Sequence, residues 1–264
     1  MGNATIQGSL WGACARDWAT YVEQVCLPLF GAALDGARVT AGTRLLDAGC
    51  GAGLLSVLAT LRGAKVAALD AAPGMIEVAR QRLPDADLRV GDLETLPFDD
   101  ASFDAVIGVN SLFYAQDMAA AMRELARVVR PGGRVVLTAW GPPQRCEFLT
   151  AVMPALGPLM PPPPPGAIPP HPGALSEPGA LTGVLEAAGL RPMEDGEIAC
   201  PFVFPSREAS WRGNASAGIN QAAIAHSGEP AVHAVYANAD EAHARPDGSV
   251  RYDNVFIWAS GERP

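Results

Sequence analysis

The chain has 264 residues, 49% of them apolar and 18% charged, with a net charge of −9. This composition makes a globular protein with a substantial core and excludes a disordered chain. It holds no basic run to neutralise a phosphate backbone, so nucleic acid is not an expected partner. No apolar stretch reaches the roughly 18 residues that cross a bilayer.

The first residues, MGNATIQGSLWGACARDW, lack the basic segment and apolar core of a secretory signal. Ile6 stands where a myristoylation site needs Ser or Thr. Five widely spaced cysteines with no CxxC pair indicate reduced thiols in a cytoplasmic protein. Residues 9–35 predict one or two helices, because Trp11, Trp18, Tyr21, Val25 and Leu29 recur at helical spacings.

Strand and helix then alternate. Strands are expected at 45–48, 65–70, 88–90, 103–109 and 134–139. Helices are expected at 54–61, 73–83 and 118–129, the last broken by Arg-Pro-Gly-Gly at 130–133. Such alternation predicts an α/β fold, a parallel sheet with helices on both faces. A proline-dense run, Met160 to Gly173, cannot be regular helix. A helix follows in 176–189, with Ser176 and Gly189 as its caps. A sixth strand is expected in 191–203. Two helices are expected in 206–243, parted at Gly228-Glu229-Pro230. A last strand fills 249–260 after the turn Pro246-Asp247-Gly248.

The chemistry concentrates in LLDAGCGAGLLSVLA, Leu45 to Ala59. A dinucleotide fold wants GxGxxG, whose third glycine lets a helix N-terminus approach a pyrophosphate. Here Gly49, Gly51 and Gly53 form GxGxG, and Leu54 occupies the place of that third glycine. Asp47 stands two residues before the loop, where it would repel a pyrophosphate. It suits a ligand with an ammonium and a sulfonium, as in S-adenosylmethionine (SAM). Asp70 ends the next strand and can accept two ribose hydroxyls. Asp92 follows the third strand and can accept from an adenine amino group. The three acids fall at successive strand C-termini, where open α/β sheets bind ligands.

LLDAGCGAG, the acid of ALDAAPGMIEVAR, GDLETLPFDDASFDAV and RVVRPGGRVVLTAW occur in order over about residues 43–140. In these segments the chain resembles the class I SAM-dependent methyltransferases, small-molecule type, similar to the ubiquinone and menaquinone C-methyltransferase core. The resemblance implies a Rossmann-like, mainly parallel sheet of seven strands with an antiparallel last strand, and SAM as cofactor. It implies that Asp47, Gly49, Gly51 and Gly53 hold the methionyl part and Asp70 the ribose. Ala71 and Met75 would flank the adenine, Asp92 and Leu93 would meet its edge, and Asn110 would border the reaction site. One domain over 1–264 is expected. Its SAM-binding core is 36–140, its N-terminal helical cap 9–35, and its substrate-cap insertions 141–175 and 206–246.

The same resemblance narrows the reaction. Enzymes that methylate exocyclic amines of bases carry NPPY or DPPY where this chain reads VNSLFYAQD. Metal-dependent catechol-type enzymes carry an Asp at that place and an Asp-Asn pair after the fifth strand, where Asn110-Ser111 and Trp140-Gly141-Pro142-Pro143 stand here. No metal is expected, and the four histidines form no zinc pattern. The expected function is metal-free methyl transfer to O, N or C of a small organic molecule, as in natural-product tailoring. The alternative is a SAM-binding relative that catalyses another reaction or serves as a non-catalytic partner. Trp11, Trp18, Tyr21, Phe113, Tyr114, Trp140 and Trp211 are candidates to line the pocket, with Tyr21 closing over SAM. His171, held among prolines, is the candidate general base.

Overall fold

The structure is a computed structural model and describes residues 3–163 and 173–264. His171 lies outside them. The first segment follows a broken helical path: α1 (Asn3–Gly12), α2 (Ala15–Asp17), a π turn (Trp18–Val22), a 3-10 turn (Glu23–Cys26) and α3 (Leu27–Gly36). Two local causes break the helix. Thr20 donates its hydroxyl back to the Arg16 carbonyl at 2.7 Å, which bends a helix. Pro28 supplies no N–H, so a helix must restart there.

The core alternates as expected: β1 (Arg44–Ala48), α4 (Leu54–Leu61), β2 (Lys65–Asp70), α5 (Pro73–Arg82), β3 (Asp87–Val90), β4 (Phe103–Val109), α6 (Met118–Val128) and β5 (Val129–Trp140). The Arg-Pro-Gly-Gly segment does end α6, but it then opens β5 rather than a loop. Phe103 pairs with Val129, and after a bulge Ala105 pairs with Arg134. Gly132 adopts φ +71° inside that bulge and donates its N–H to Arg263 at 2.7 Å.

Then follow α7 (Glu147–Leu156), α8 (Ala180–Ala187), β6 (Arg191–Ala199), β7 (Phe202–Phe204), α9 (Arg207–Ala215), α10 (Gly218–Ser227), α11 (Glu229–His243), β8 (Val250–Tyr252) and β9 (Val255–Glu262). Helix α7 was not expected, although Phe148, Leu149, Val152 and Leu156 give it a buried stripe. Residues 206–243 hold three helices rather than two. The expected sixth and last strands each split. Pro201 cannot donate to a ladder, and Asn254 turns the chain opposite it, accepting from Cys200 N–H at 2.8 Å. The detached pieces, β7 and β8, pair with each other as an antiparallel ribbon.

The main sheet has seven strands in the order β3-β2-β1-β4-β5-β9-β6. β1 to β5 are parallel, and β9 is antiparallel to both β5 and β6. This is the expected Rossmann-like sheet with its antiparallel last strand. The strand order reverses between β1 and β4, and a crevice opens there at the strand C-termini. One buried cluster joins α3 and α4 to α7, α11 and the ribbon. A second joins α6 and α8 to the opposite face.

The N-terminal segment docks across the crevice through glycines. A methyl at Gly8 would lie 2.2 Å from the Ala71 carbonyl oxygen, and one at Gly74 2.5 Å from the Gly12 carbonyl oxygen. One at Gly218 would meet the Trp11 ring at 2.6 Å. Gly8→Ala should therefore lift α1 from the turn after β2, at a cost of about 1–3 kcal/mol. Limited proteolysis should then cut residues 3–26 faster while the sheet stays protected. Unchanged cleavage would show that the contact is slack.

Candidate active site

The turn after β1 is built from residues that only glycine suits. Gly49, Gly51 and Gly53 have φ of +85°, +55° and +88°. A methyl at Gly49 would lie 2.3 Å from Ser111 Cβ. A methyl at Gly53 would lie 3.0 Å from Ala79 Cβ, so Gly53 packs the loop onto α5 and does not line the crevice. The peptide N–H groups of Gly49 and Cys50 both donate to the Leu69 carbonyl, at 2.8 and 3.0 Å.

Asp70 completes this frame. Its Oδ2 accepts from Gly51 N–H and its Oδ1 from Ala72 N–H, both at 2.8 Å. Each oxygen keeps a lone pair for a ligand. Burial pushes its carboxyl above the ordinary carboxylate range. Asp47 is 1% exposed and accepts from Ser56 Oγ at 2.7 Å. Burial raises its carboxyl to about 7 against that hydrogen bond, and the charges of Asp70 and Glu23 add to the rise.

Glu23 is the site residue that sequence reasoning missed. It is 2% exposed and accepts from Leu54 N–H, at the start of α4, at 3.4 Å. Its other oxygen pairs with Arg82, which also donates to the carbonyls of Ala52 at 2.9 Å and Ala19 at 3.2 Å. Burial pushes the Glu23 carboxyl up, and Arg82 pulls it back. The signal was present: Ala19, Glu23, Cys26 and Phe30 form one stripe at helical spacing, all buried, with an acid in it.

The other expected residues fall mostly around one cavity of about 250 Å³. Ala71, Met75, Asp92, Leu93 and Asn110 line it together with Asp47, Gly49, Gly51 and Asp70. Asp92 Oδ1 accepts from Glu94 N–H at 3.0 Å. Asn110 has φ +50°, and its Oδ1 accepts from Thr138 Oγ1 at 3.2 Å, which fixes a left-handed residue at the end of β4.

Tyr21 does not line the cavity. The π turn rotates it toward α9, where the Arg212 guanidinium lies 4.9 Å from its ring centre. Trp18 lines the cavity instead, its Nε1 3.5 Å from where a Gly51 methyl would sit. Of the other candidate aromatics, Trp11, Phe113, Tyr114 and Trp140 line it, whereas Trp211 packs against His233 at 4.7 Å. Among the described residues no histidine lines the cavity, and no group of three or more His, Cys, Asp or Glu side chains is placed to hold a metal ion.

Residues 46–137 match the family described as Methyltransferase domain. The matched stretch runs from β1 into β5 of the main sheet. The chain is similar to malonyl-[acyl-carrier protein] O-methyltransferase of Serratia marcescens, 44% identical over 97 residues, which are 37% of this chain and 38% of that protein. The chain spans about half or less of the length of the curated relatives it matches. Among solved structures, a putative methyltransferase from an antibiotic biosynthesis pathway of Anabaena variabilis superposes with a TM-score of 0.62. It is 19% identical, over 90% of this chain and 99% of that one. The [4+2]-cyclase SpnF superposes with a TM-score of 0.55 at 19% identity, over 89% and 80% of the two chains. At such identities the likeness is one of fold. No helix among the described residues is long and apolar enough to cross a membrane.

The Glu23–Arg82 pair ties the N-terminal segment to α5, and removing one partner strands a buried charge. Arg82→Met should destabilise the protein by about 3–5 kcal/mol. Adding Glu23→Leu to that variant should recover part of the loss in urea unfolding. A double variant that loses the full sum of the two single changes would show no coupling between them.

Proposed function

We propose that this protein is a SAM-dependent methyltransferase acting on a small organic molecule. The observation that carries the proposal is the convergence of Glu23, Asp47 and Asp70 on a turn of glycines, with Arg82, the cation beside them among the described residues, held by Glu23 and two carbonyls. Such a mouth repels a pyrophosphate. It suits a ligand with a net positive charge beside its amino-acid end.

The residues present fit SAM. Asp70 keeps lone pairs for two ribose hydroxyls, and Asp47 and Glu23 would face the ammonium. Gly49 and Gly51 leave room along the methionyl part. Ala71, Met75 and Leu93 would bracket the adenine, with Asp92 at its edge and Asn110 and Trp18 beside the methyl end. When bound, SAM supplies a methyl carbon activated by the sulfonium charge. The chain's own residues orient the acceptor and keep water out. A cavity walled by aromatic rings favours a displacement in which charge disperses, and orientation supplies much of the rate. We retain His171 as the proposed general base, on its sequence position alone. The family match ends at Leu137, before α7 and the cap helices, so the substrates of the relatives are not carried over.

Thermal unfolding is the first test. SAM or S-adenosylhomocysteine (SAH) at 100 times its dissociation constant adds about 2.7 kcal/mol, so the midpoint should rise by several degrees. NAD should leave it unchanged, and Asp70→Ala should weaken SAH binding at least tenfold. A shift with NAD alone would overturn the proposal. A shift with SAM and SAH licenses a screen of small acceptors by SAH release.

Asp47 sets a pH dependence. Below about pH 7 its carboxyl holds a proton in the free protein, and a cationic ligand must expel it. SAM affinity should fall by up to tenfold per pH unit below about 7, with proton release seen by calorimetry in buffers of different ionisation enthalpy. The Asp47→Asn variant should release no proton. The ligand-free protein should show the opposite trend. A carboxyl raised in the folded state contributes stability at low pH that is lost as pH rises through 7. Proton release that persists in Asp47→Asn would reassign the titrating group.

A further inference from the structure

The lining of the cavity is of two kinds. Among the described residues, every carboxylate or cation lining the cavity is an acid: Glu23, Asp47, Asp70, Asp92 and Glu94. No Lys, Arg or His lines it among those residues. Beyond the acids the walls are apolar, set by Trp140, Phe148, Met153 and Phe202. Trp140 stacks on Phe148 with ring centres 6.0 Å apart and meets Phe202 edge-on at 5.6 Å.

Three neutral polar side chains line it beside these walls: Asn214, Asn220 and Tyr236. They are buried and fixed by a chain of hydrogen bonds. Tyr236 donates its hydroxyl to Asn220 Oδ1 at 3.0 Å, and Asn220 Nδ2 donates to the Asn214 carbonyl at 2.7 Å. Asn214 Nδ2 donates to the Ser210 carbonyl at 2.9 Å and to Ser210 Oγ at 3.3 Å. Ser210 Oγ and the Tyr252 hydroxyl both donate to Asp240 Oδ1, at 2.9 and 2.6 Å. Asp240 anchors the chain and does not line the cavity.

Asn220 keeps its second amide hydrogen, and Tyr236 keeps oxygen lone pairs. Asn214, 6% exposed, has no partner for Oδ1 among the described residues. Among the described residues no buried side-chain nitrogen or oxygen lacks a partner, so the Asn214 Oδ1 is open to the cavity, where a ligand donor can pair with it.

From this arrangement we infer that the acceptor substrate is an uncharged, largely apolar molecule whose one hydroxyl or carbonyl is held by Asn214, Asn220 and Tyr236. Anionic substrates, carboxylates and phosphate esters alike, are rejected. They would lose their hydration in a cavity whose described residues supply five acids and no cation to replace it. The inference rests on the methyltransferase assignment and adds its substrate class. Asn220 is the specificity-determining residue, because its amide is oriented from both sides.

The test is calorimetry on the full chain in two steps. SAH is titrated first. Failure of SAH to bind counts against the methyltransferase assignment. With SAH bound, three probes of one skeleton follow: 4-propylphenol, 4-propylbenzoate and propylbenzene. The neutral phenol should bind at least tenfold tighter than the benzoate. A benzoate that binds as tightly as the phenol, or a phenol that does not bind at millimolar concentration, overturns the inference while leaving the SAH result standing. Asn220→Leu should cost the phenol about tenfold and leave propylbenzene unchanged. Tyr236→Phe, which keeps the ring in the core, should act in the same direction by several-fold if Asn220→Leu fails to fold. Equal losses for phenol and propylbenzene would remove the polar cluster from recognition.

Discussion

Two hydrogen bonds from backbone N–H groups to one carboxylate set the geometry of this molecule. Asp70 binds Gly51 with one oxygen and Ala72 with the other. It thereby fixes the loop after β1 to the turn after β2. The parallel register places Ala48 beside Leu69, so both strands end at the same height. The loop can then rise over the sheet only by left-handed φ angles, and glycine is the residue that adopts them cheaply. The acid, the glycines and the register are one constraint seen from three sides.

What surrounds that constraint is segregated by polarity. Carboxylates gather where the loop, the 3-10 turn and the strand ends meet, and aromatic rings gather under α7 and the ribbon. The acids repel one another, which is why burial and neighbouring charge both push Asp47 toward the neutral form. Arg82 relieves the cluster at Glu23 but contributes no cation to the cavity. The protein thus gathers several acids in a low-dielectric place, an arrangement that costs stability.

The core was legible because its signals are local. A GxGxG turn, acids at strand ends and the 2.0 and 3.6 periodicities each lie within a dozen residues. Gly53 shows the limit of that legibility: it belongs to the motif, yet its work is packing against Ala79. Tyr21 was misplaced because a single π turn changes which residue faces inward, and Trp18 takes the position. Glu23 was passed over because its partner, Arg82, lies on α5, far along the chain. Helix α7 was hidden by Pro154 and by the proline run after it, although its apolar stripe was intact. The polar end of the cavity depends on contacts among α9, α10 and α11, and no spacing in the sequence announces them.

The glycine contacts under α1 carry a consequence for traffic through the site. Gly8 on Ala71 and Gly74 on Gly12 bring main chain directly against main chain, with no rotamer between them to swing aside. Opening the crevice at these two contacts means lifting the N-terminal segment as a whole, and that breaks the Arg82 tether to Glu23. Residence time on that route would follow the segment's own unfolding free energy rather than the ligand's contacts alone. A single methyl group, placed at Gly8, would act as a wedge in the door.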